Sequence, residues 1–170
     1  DYAGTLAPIR SRPEEAVPSH RLCELLRTLG TDAANRVVIC SGRDSGTLEK
    51  WFGGLPVSLA AEHGAFYKDR GAWRCNIRPA SWDPKLSALL EHFARKTPRS
   101  RIERKQTALA WHYREADSWL GQLRAQQLVN ALMPLCARLN LHILQGDKVV
   151  EIKSPRFTKG SETLRLLRQE

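Results

Sequence analysis

The sequence predicts an α/β chain in which a Rossmann-like core of alternating strands and helices carries a small inserted α/β layer. Two continuous apolar runs, RVVIC (36–40) and VSLAA (57–61), have the character of parallel strands covered on both faces. Each ends in a polar, glycine-containing turn, SGRD and EHG. Beyond Ala65 the pattern changes to short strand-like segments around a longer helical stretch, the mark of a separate small α/β layer.

Each element has its own signal. Ser19 is placed to cap a helix in which Leu22, Leu25, Leu26 and Leu29 share one buried stripe, with Gly30 as its end. RVVIC follows as a strand, then a short helix through Leu48 and Trp51, the turn GGLP, and the strand VSLAA. In such a sheet ligands collect at the carboxyl ends of the strands, where Asp1, Ser41 and Glu62-His63-Gly64 stand. Next, AFYKD and AWRCN can pair across DRG; Leu86, Leu89, Leu90 and Phe93 mark a helix; SRIERK and TALAWHYR form strands. A long helix runs over 118–139 with Leu120, Leu123, Leu128, Leu132 and Leu135 on its apolar side, and LHIL and KVVEIK close the layer as two strands. The expected boundaries are 1–65 for the first part of the core, 66–153 for the inserted layer and 154–170 for the second part of the core.

Composition narrows the partners. With 42% hydrophobic and 26% charged residues over 170 positions, the chain can bury a substantial core. It contains no run of about 18 apolar residues that would span a membrane and opens on no basic-then-apolar leader, so a cytoplasmic location is expected. The excess of 27 Lys+Arg over 18 Asp+Glu, a net +9, favours an anionic partner; nucleic acid and phosphorylated metabolites both qualify. Cys23, Cys40, Cys75 and Cys136 lack metal-ligand spacing and read as small core residues.

Strand alternation separates the two faces of the inserted layer. Residues two apart share a face, so Leu109, Trp111 and Tyr113 point one way and Ala110, His112 and Arg114 the other. Core packing against the helices accounts for the aromatic side better than base stacking does; no nucleic-acid partner is expected, with a basic nucleic-acid-binding module kept as a third reading. On the opposite face Glu103 goes with Lys105, and Val149, Glu151 and Lys153 stand against the core residues Val150 and Ile152. Carboxylates interleaved with cations suit a polyhydroxylated, anionic ligand; the same pattern also fits a solvated sheet face.

The segments DYAGTLAP, VVICSGRD, LAAEHGAFYK, IERKQTALAWHYR and VVEIKSPRFTKG, in this order and spacing, resemble the trehalose-6-phosphate phosphatases of the haloacid dehalogenase superfamily. IERK and WHYR are the more specific part. The resemblance implies a Rossmann-like core with an α/β cap, dependence on Mg²⁺, and hydrolysis of trehalose 6-phosphate to trehalose and phosphate. It implies that Asp1 is the nucleophile that forms an aspartyl-phosphate, that Ser41 bonds the phosphoryl group with Arg43 beside it, and that Lys159 neutralises the charge at the nucleophile. Mg²⁺ would be held by the Asp1 carboxylate and the Ala3 carbonyl. Glu103, Lys105, Arg114 and Glu151 match the positions that grip the distal sugar. Lys148 is set apart, because in a regular strand it points away from Glu151. His63 is expected to fix the junction of core and cap. A trehalose-phosphate synthase domain or subunit is the implied protein partner.

Two departures accompany the resemblance. The family pattern DxDGT has its second aspartate as general acid and base, and here that position is Ala3. The expectation is a site that binds substrate and turns it over slowly, the alternative being a noncatalytic sugar-phosphate-sensing domain linked to a synthase. Neither the apolar strand expected before Asp1 nor the acidic fourth motif expected after SETLRLLRQE is present, so the core is expected to be incomplete in this chain.

Overall fold

Side-chain caps and apolar runs set the elements of the chain, which in order are α1 (His20–Thr31), β1 (Val38–Cys40), α2 (Ser45–Phe52), β2 (Ser58–Ala61), β3 (Phe66–Lys68), β4 (Arg74–Cys75), α3 (Pro84–Arg95), β5 (Arg101–Arg104), β6 (Ala108–His112), α4 (Ser118–Leu139), β7 (His142–Gly146), β8 (Val149–Lys153) and α5 (Lys159–Leu167). They are seen in a computed structural model that describes residues 2–10, 12–69, 71–76, 82–156 and 158–168. The chain divides into two units, Asp1–Arg78 with Arg156–Glu170, and Pro79–Pro155.

In the first unit, Ser19 Oγ accepts the Leu22 N–H at 3.2 Å and starts α1. Of the leucines expected on one buried stripe, Leu26 is buried, whereas Leu25 and Leu29 are exposed. Gly30 does not end the helix either; α1 continues through Thr31 to Asp32. Its role is close approach, since a Cβ there would collide with the Pro56 carbonyl. Replacing Gly30 by alanine should therefore destabilise the fold by about 1–3 kcal/mol, although alanine is the better helix former. A urea midpoint lower in the variant checks this; a higher one would show that α1 gives way to make room.

Strands β1 and β2 are parallel, with Ile39 opposite Leu59, joined through α2. Asp44 caps α2 by accepting from the Thr47 N–H at 2.8 Å and its hydroxyl at 2.6 Å. Leu48, Phe52, Leu59, Ile39 and the fully buried Tyr2 form the core here. The hairpin β3–β4, which the sequence boundary at 66 placed in the inserted layer, extends this first sheet instead: the order is β1-β2-β3-β4, and β3 runs antiparallel to β2 with Ala61 opposite Phe66. The reason is the Glu62–Gly64 turn, which reverses the chain within three residues and leaves β3 beside the strand it has just left. Cys75 is exposed on β4, contrary to its expected place in a core, while Cys136 is buried.

The second unit is an antiparallel sheet of order β5-β6-β8-β7 with α3 and α4 packed on one face. Leu86 and Leu90 from α3 and Leu128 and Leu132 from α4 meet Leu109, Trp111, Val150 and Ile152 from the sheet. Trp111 is fully buried and stacks on Tyr113 with centroids 4.9 Å apart, and its indole N–H donates to Ser100 Oγ at 3.1 Å, so the aromatic residues serve the core as alternation predicts. The buried side of α4 runs through Gly121, Ala125, Leu128, Leu132 and Cys136, which turns Leu123 outward. A small residue, Gly121, and not a leucine, sits where this helix comes nearest the Tyr113 ring.

Candidate functional site

The carboxyl ends of β1 and β2 are tied into one assembly. Ser41 donates its N–H to the Ala60 carbonyl at 2.9 Å, its own carbonyl accepts the His63 N–H at 2.9 Å, and its Oγ accepts the Arg43 N–H at 3.2 Å. The Glu62 N–H donates to the Arg43 carbonyl at 2.8 Å. These bonds hold Glu62, His63 and Gly64 at φ of 46°, 62° and 99°, a left-handed run that side-chain-bearing residues adopt only when the surroundings impose it. A Cβ at Gly42 would come within 2.9 Å of the His63 ring, so glycine lets the ring pack closely on this turn. His63 thus braces the SGRD turn against the EHG turn.

Three further groups lie on this unit. The Arg43 guanidinium rests over the Trp51 ring, 4.8 Å from its centroid, and 5.8 Å from that of Tyr2, an arrangement that orients the cation. Lys159 opens α5, whose start is fixed by a reciprocal cap between Thr158 and Ser161. One turn on, Glu162 is buried against Gly64 and pairs with Arg165, so α5 is anchored on the EHG turn. Tyr2 is fully buried, its hydroxyl donating to the Ala16 carbonyl at 2.5 Å, and its carbonyl gathers the Leu6 and Ala7 N–H groups. The loop beyond it turns at Gly4, with φ of 83°, and leaves Ala3 exposed. Asp1 lies outside the described residues.

In the second unit the sheet face away from the helices carries a connected set of charges. Glu103, Ala110 and Glu151 lie on one cross-strand row, and Ala110, only 1% exposed, is the floor between the two glutamates. Lys105 Nζ reaches Glu151 Oε1 at 3.0 Å and Glu103 Oε2 at 4.0 Å. His112 Nε2 lies 2.7 Å from Glu103 Oε2. Burial pushes the Glu103 carboxyl up, but the bond from His112 and the charges on Lys105, His112 and Arg101 together outweigh it and hold the group below its ordinary 4.5. The carboxylate is therefore the acceptor, and His112 Nε2 carries the proton.

A depressed carboxyl has a definite sign in acid. Ionised Glu103 contributes stability that is complete above 4.5 and is lost as the pH falls through its lower folded value. Between about pH 5 and about pH 3 the unmodified protein should lose more of its urea resistance than Glu103→Gln does; parallel losses would show that this pair adds nothing to the acid limb.

Of the residues expected on the sugar-binding face, Glu103, Lys105 and Glu151 come together. Arg114 is engaged elsewhere, its Nη2 donating to the Asp147 carboxylate and carbonyl, both at 2.7 Å. Lys148 does not follow strand parity, because it sits in the β7–β8 turn at φ 59°, with Nζ 5.9 Å from the Tyr113 ring centroid. His112 was not among the expected site residues, though alternation already put it on the charged face.

Magnesium takes oxygen ligands. The two groups the family resemblance implies, the Asp1 carboxylate and the Ala3 carbonyl, are of that kind but make up only part of a coordination shell, and no cluster of three or more His, Cys, Asp or Glu side chains occurs among the described residues. No described helix is long and apolar enough to cross a membrane.

A parallel β1–β2 pair with its polar turns at the carboxyl ends, together with a second α/β unit inserted in sequence between two stretches of the first, defines an α/β fold of the haloacid dehalogenase type. The trehalose-phosphatase family profile matches residues 1–170, and the chain belongs to that family. It is 42% identical over 174 residues to a trehalose-phosphatase of Zygosaccharomyces rouxii, covering 98% of this chain and 19% of the relative. It is 40% identical over 170 residues to a bifunctional trehalose-6-phosphate synthase/phosphatase of Thermoproteus tenax, covering 98% of this chain and 23% of the relative. Among solved structures, the C-terminal domain of the trehalose-6-phosphate phosphatase of C. albicans superimposes with a TM-score of 0.93 at 38% identity, over 98% of this chain and 59% of that one. The chain thus spans about a fifth of the length of these curated relatives.

Proposed function

We propose that this chain is a trehalose-6-phosphate phosphatase domain in which Ala3 slows turnover while substrate recognition persists. The observation that carries this reading is the charged sheet face, where Lys105 bridges Glu151 and Glu103 above Ala110 in a chain of this family. In this assignment the first unit acts as the core and the second as the cap, with β3–β4 counted in the core.

The chemistry divides between them. Asp1 attacks phosphorus through a carboxylate oxygen, the P–O bond to the sugar breaks and trehalose leaves, and water later hydrolyses the aspartyl-phosphate. Ser41, with its backbone fixed on both sides, offers its hydroxyl to the phosphoryl group, and Lys159 supplies positive charge at the start of α5. Mg²⁺, when bound through Asp1 and the Ala3 carbonyl, would offset charge between the carboxylate and the phosphoryl oxygens. With methyl in place of carboxyl at position 3, the chain offers no proton there to the departing sugar oxygen.

On the second unit the glutamates accept from sugar hydroxyls and Lys105 donates to them, so the ligand's two ends are recognised by different residues. A second reading is favoured by Ala3 itself: a noncatalytic domain that senses the sugar phosphate for a trehalose-phosphate synthase, the activity named alongside phosphatase in the Thermoproteus tenax relative. Phosphate release from trehalose 6-phosphate by Ala3→Asp separates the two. A gain supports the phosphatase reading, and unchanged release with tight binding supports the sensor.

A further inference from the structure

We propose that His112 is a positioning residue for sugar recognition, holding Glu103 by one oxygen so that the other is presented to the ligand. The proposal rests on the reading of this sheet face as the sugar-binding one.

The geometry is specific about which oxygen is held. Both His112 Nε2, at 2.7 Å, and Lys105 Nζ, at 4.0 Å, address Oε2 of Glu103. Oε1 is the atom left to accept from a hydroxyl. A carboxylate fixed through one oxygen loses its χ3 freedom before the ligand arrives, and binding then costs less ordering. His112 suits this task because β6 places it on the same face as Ala110, and Arg101 and Val149 lie directly opposite it in register. Its imidazole therefore reaches Glu103 diagonally across the strand pair, the second neighbour distance at which a long side chain still makes contact.

Charged groups surround this bond. From β5, Arg101 and Glu103 face His112; from β8, Glu151 and Lys153 share the face; Lys105 follows β5, and Arg114 lies two residues on, bound to Asp147. An Nε2–H donates to Oε2 whether or not Nδ1 also carries a proton. Glutamine at 112 keeps a donor without the charge.

The test is calorimetric binding of trehalose, with inorganic phosphate as the control ligand, to the full-length protein carrying this chain. The variants are His112→Leu, His112→Gln, Glu103→Ala and the double variant that combines His112→Leu with Glu103→Ala. We expect His112→Leu to weaken trehalose binding about tenfold, His112→Gln to stay within about threefold, and the double variant to lose no more than Glu103→Ala alone. Phosphate binding should be unchanged throughout.

The failures are distinct. If Glu103→Ala weakens trehalose but His112→Leu does not, the positioning role is overturned and the sugar face stands. If Glu103→Ala binds trehalose as tightly as the unmodified protein, the sugar face and the positioning role fall together. Should His112→Leu not fold, His112→Ala takes its place: trehalose binding as tight as in the unmodified protein overturns the positioning role.

Discussion

Ala3→Asp should raise the rate of phosphate release from trehalose 6-phosphate by about 10²–10⁴-fold, roughly 3–5 kcal/mol of barrier. A sugar alkoxide is a poor leaving group, and a positioned carboxylic acid removes the need to expel it unprotonated. The site accommodates the change. Ala3 is exposed, and its loop is held by the buried Tyr2 before it and the Gly4 turn after it, so a carboxylate replaces solvent and displaces no core residue. Single-turnover measurements on both proteins check the rate directly. An unchanged rate with unchanged substrate affinity would leave the sensor reading in place.

The second large effect is on binding. Glu151→Ala removes the 3.0 Å partner of Lys105, which also lies 4.0 Å from Glu103, and does so where both side chains are about nine-tenths covered. In the proposed reading Glu151 also accepts from the sugar, and losing a hydrogen bond to a charged group costs about 1.5–3 kcal/mol, so affinity for trehalose 6-phosphate should fall by about tenfold or more. Inorganic phosphate should bind within about twofold of its original affinity, because its expected partners are Ser41 and Lys159 on the other unit. Equal losses for both ligands would count against separate recognition of the two ends. Glu151→Gln, which keeps an acceptor for Lys105 without the charge, should fall between the two.

Much of this was legible from pattern alone. Alternation along TALAWHYR assigned Trp111 and Tyr113 to the helix-packed face and left Ala110 and His112 on the other, because a strand's period of two depends only on the backbone. Ser19 could be recognised as a cap, since capping is local chemistry. What escaped depended on distant neighbours. Gly30 has the look of a helix stop, yet its function is set by Pro56, far along the chain. The β3–β4 hairpin joined the first sheet because three successive left-handed residues fold it back on β2, a conformation that the bonds to Ser41 and Arg43 help to hold. Parity failed for Lys148 because it lies in a turn at positive φ, where alternation does not apply. Arg114 lies beyond the end of β6, where alternation does not apply either, and Asp147, in the β7–β8 turn, claims it.

The central claim is that this chain recognises a sugar phosphate with Ser41 and Lys159 at one end and Glu103, Lys105 and Glu151 at the other. A crystal structure of the full-length protein with trehalose 6-phosphate bound tests it most directly. It should show phosphoryl oxygens in hydrogen-bonding range of Ser41 and Lys159 and distal glucose hydroxyls on Glu103 and Glu151. The ester seated on some other surface, with Lys105 still closed on Glu151 and no sugar above Ala110, would contradict it.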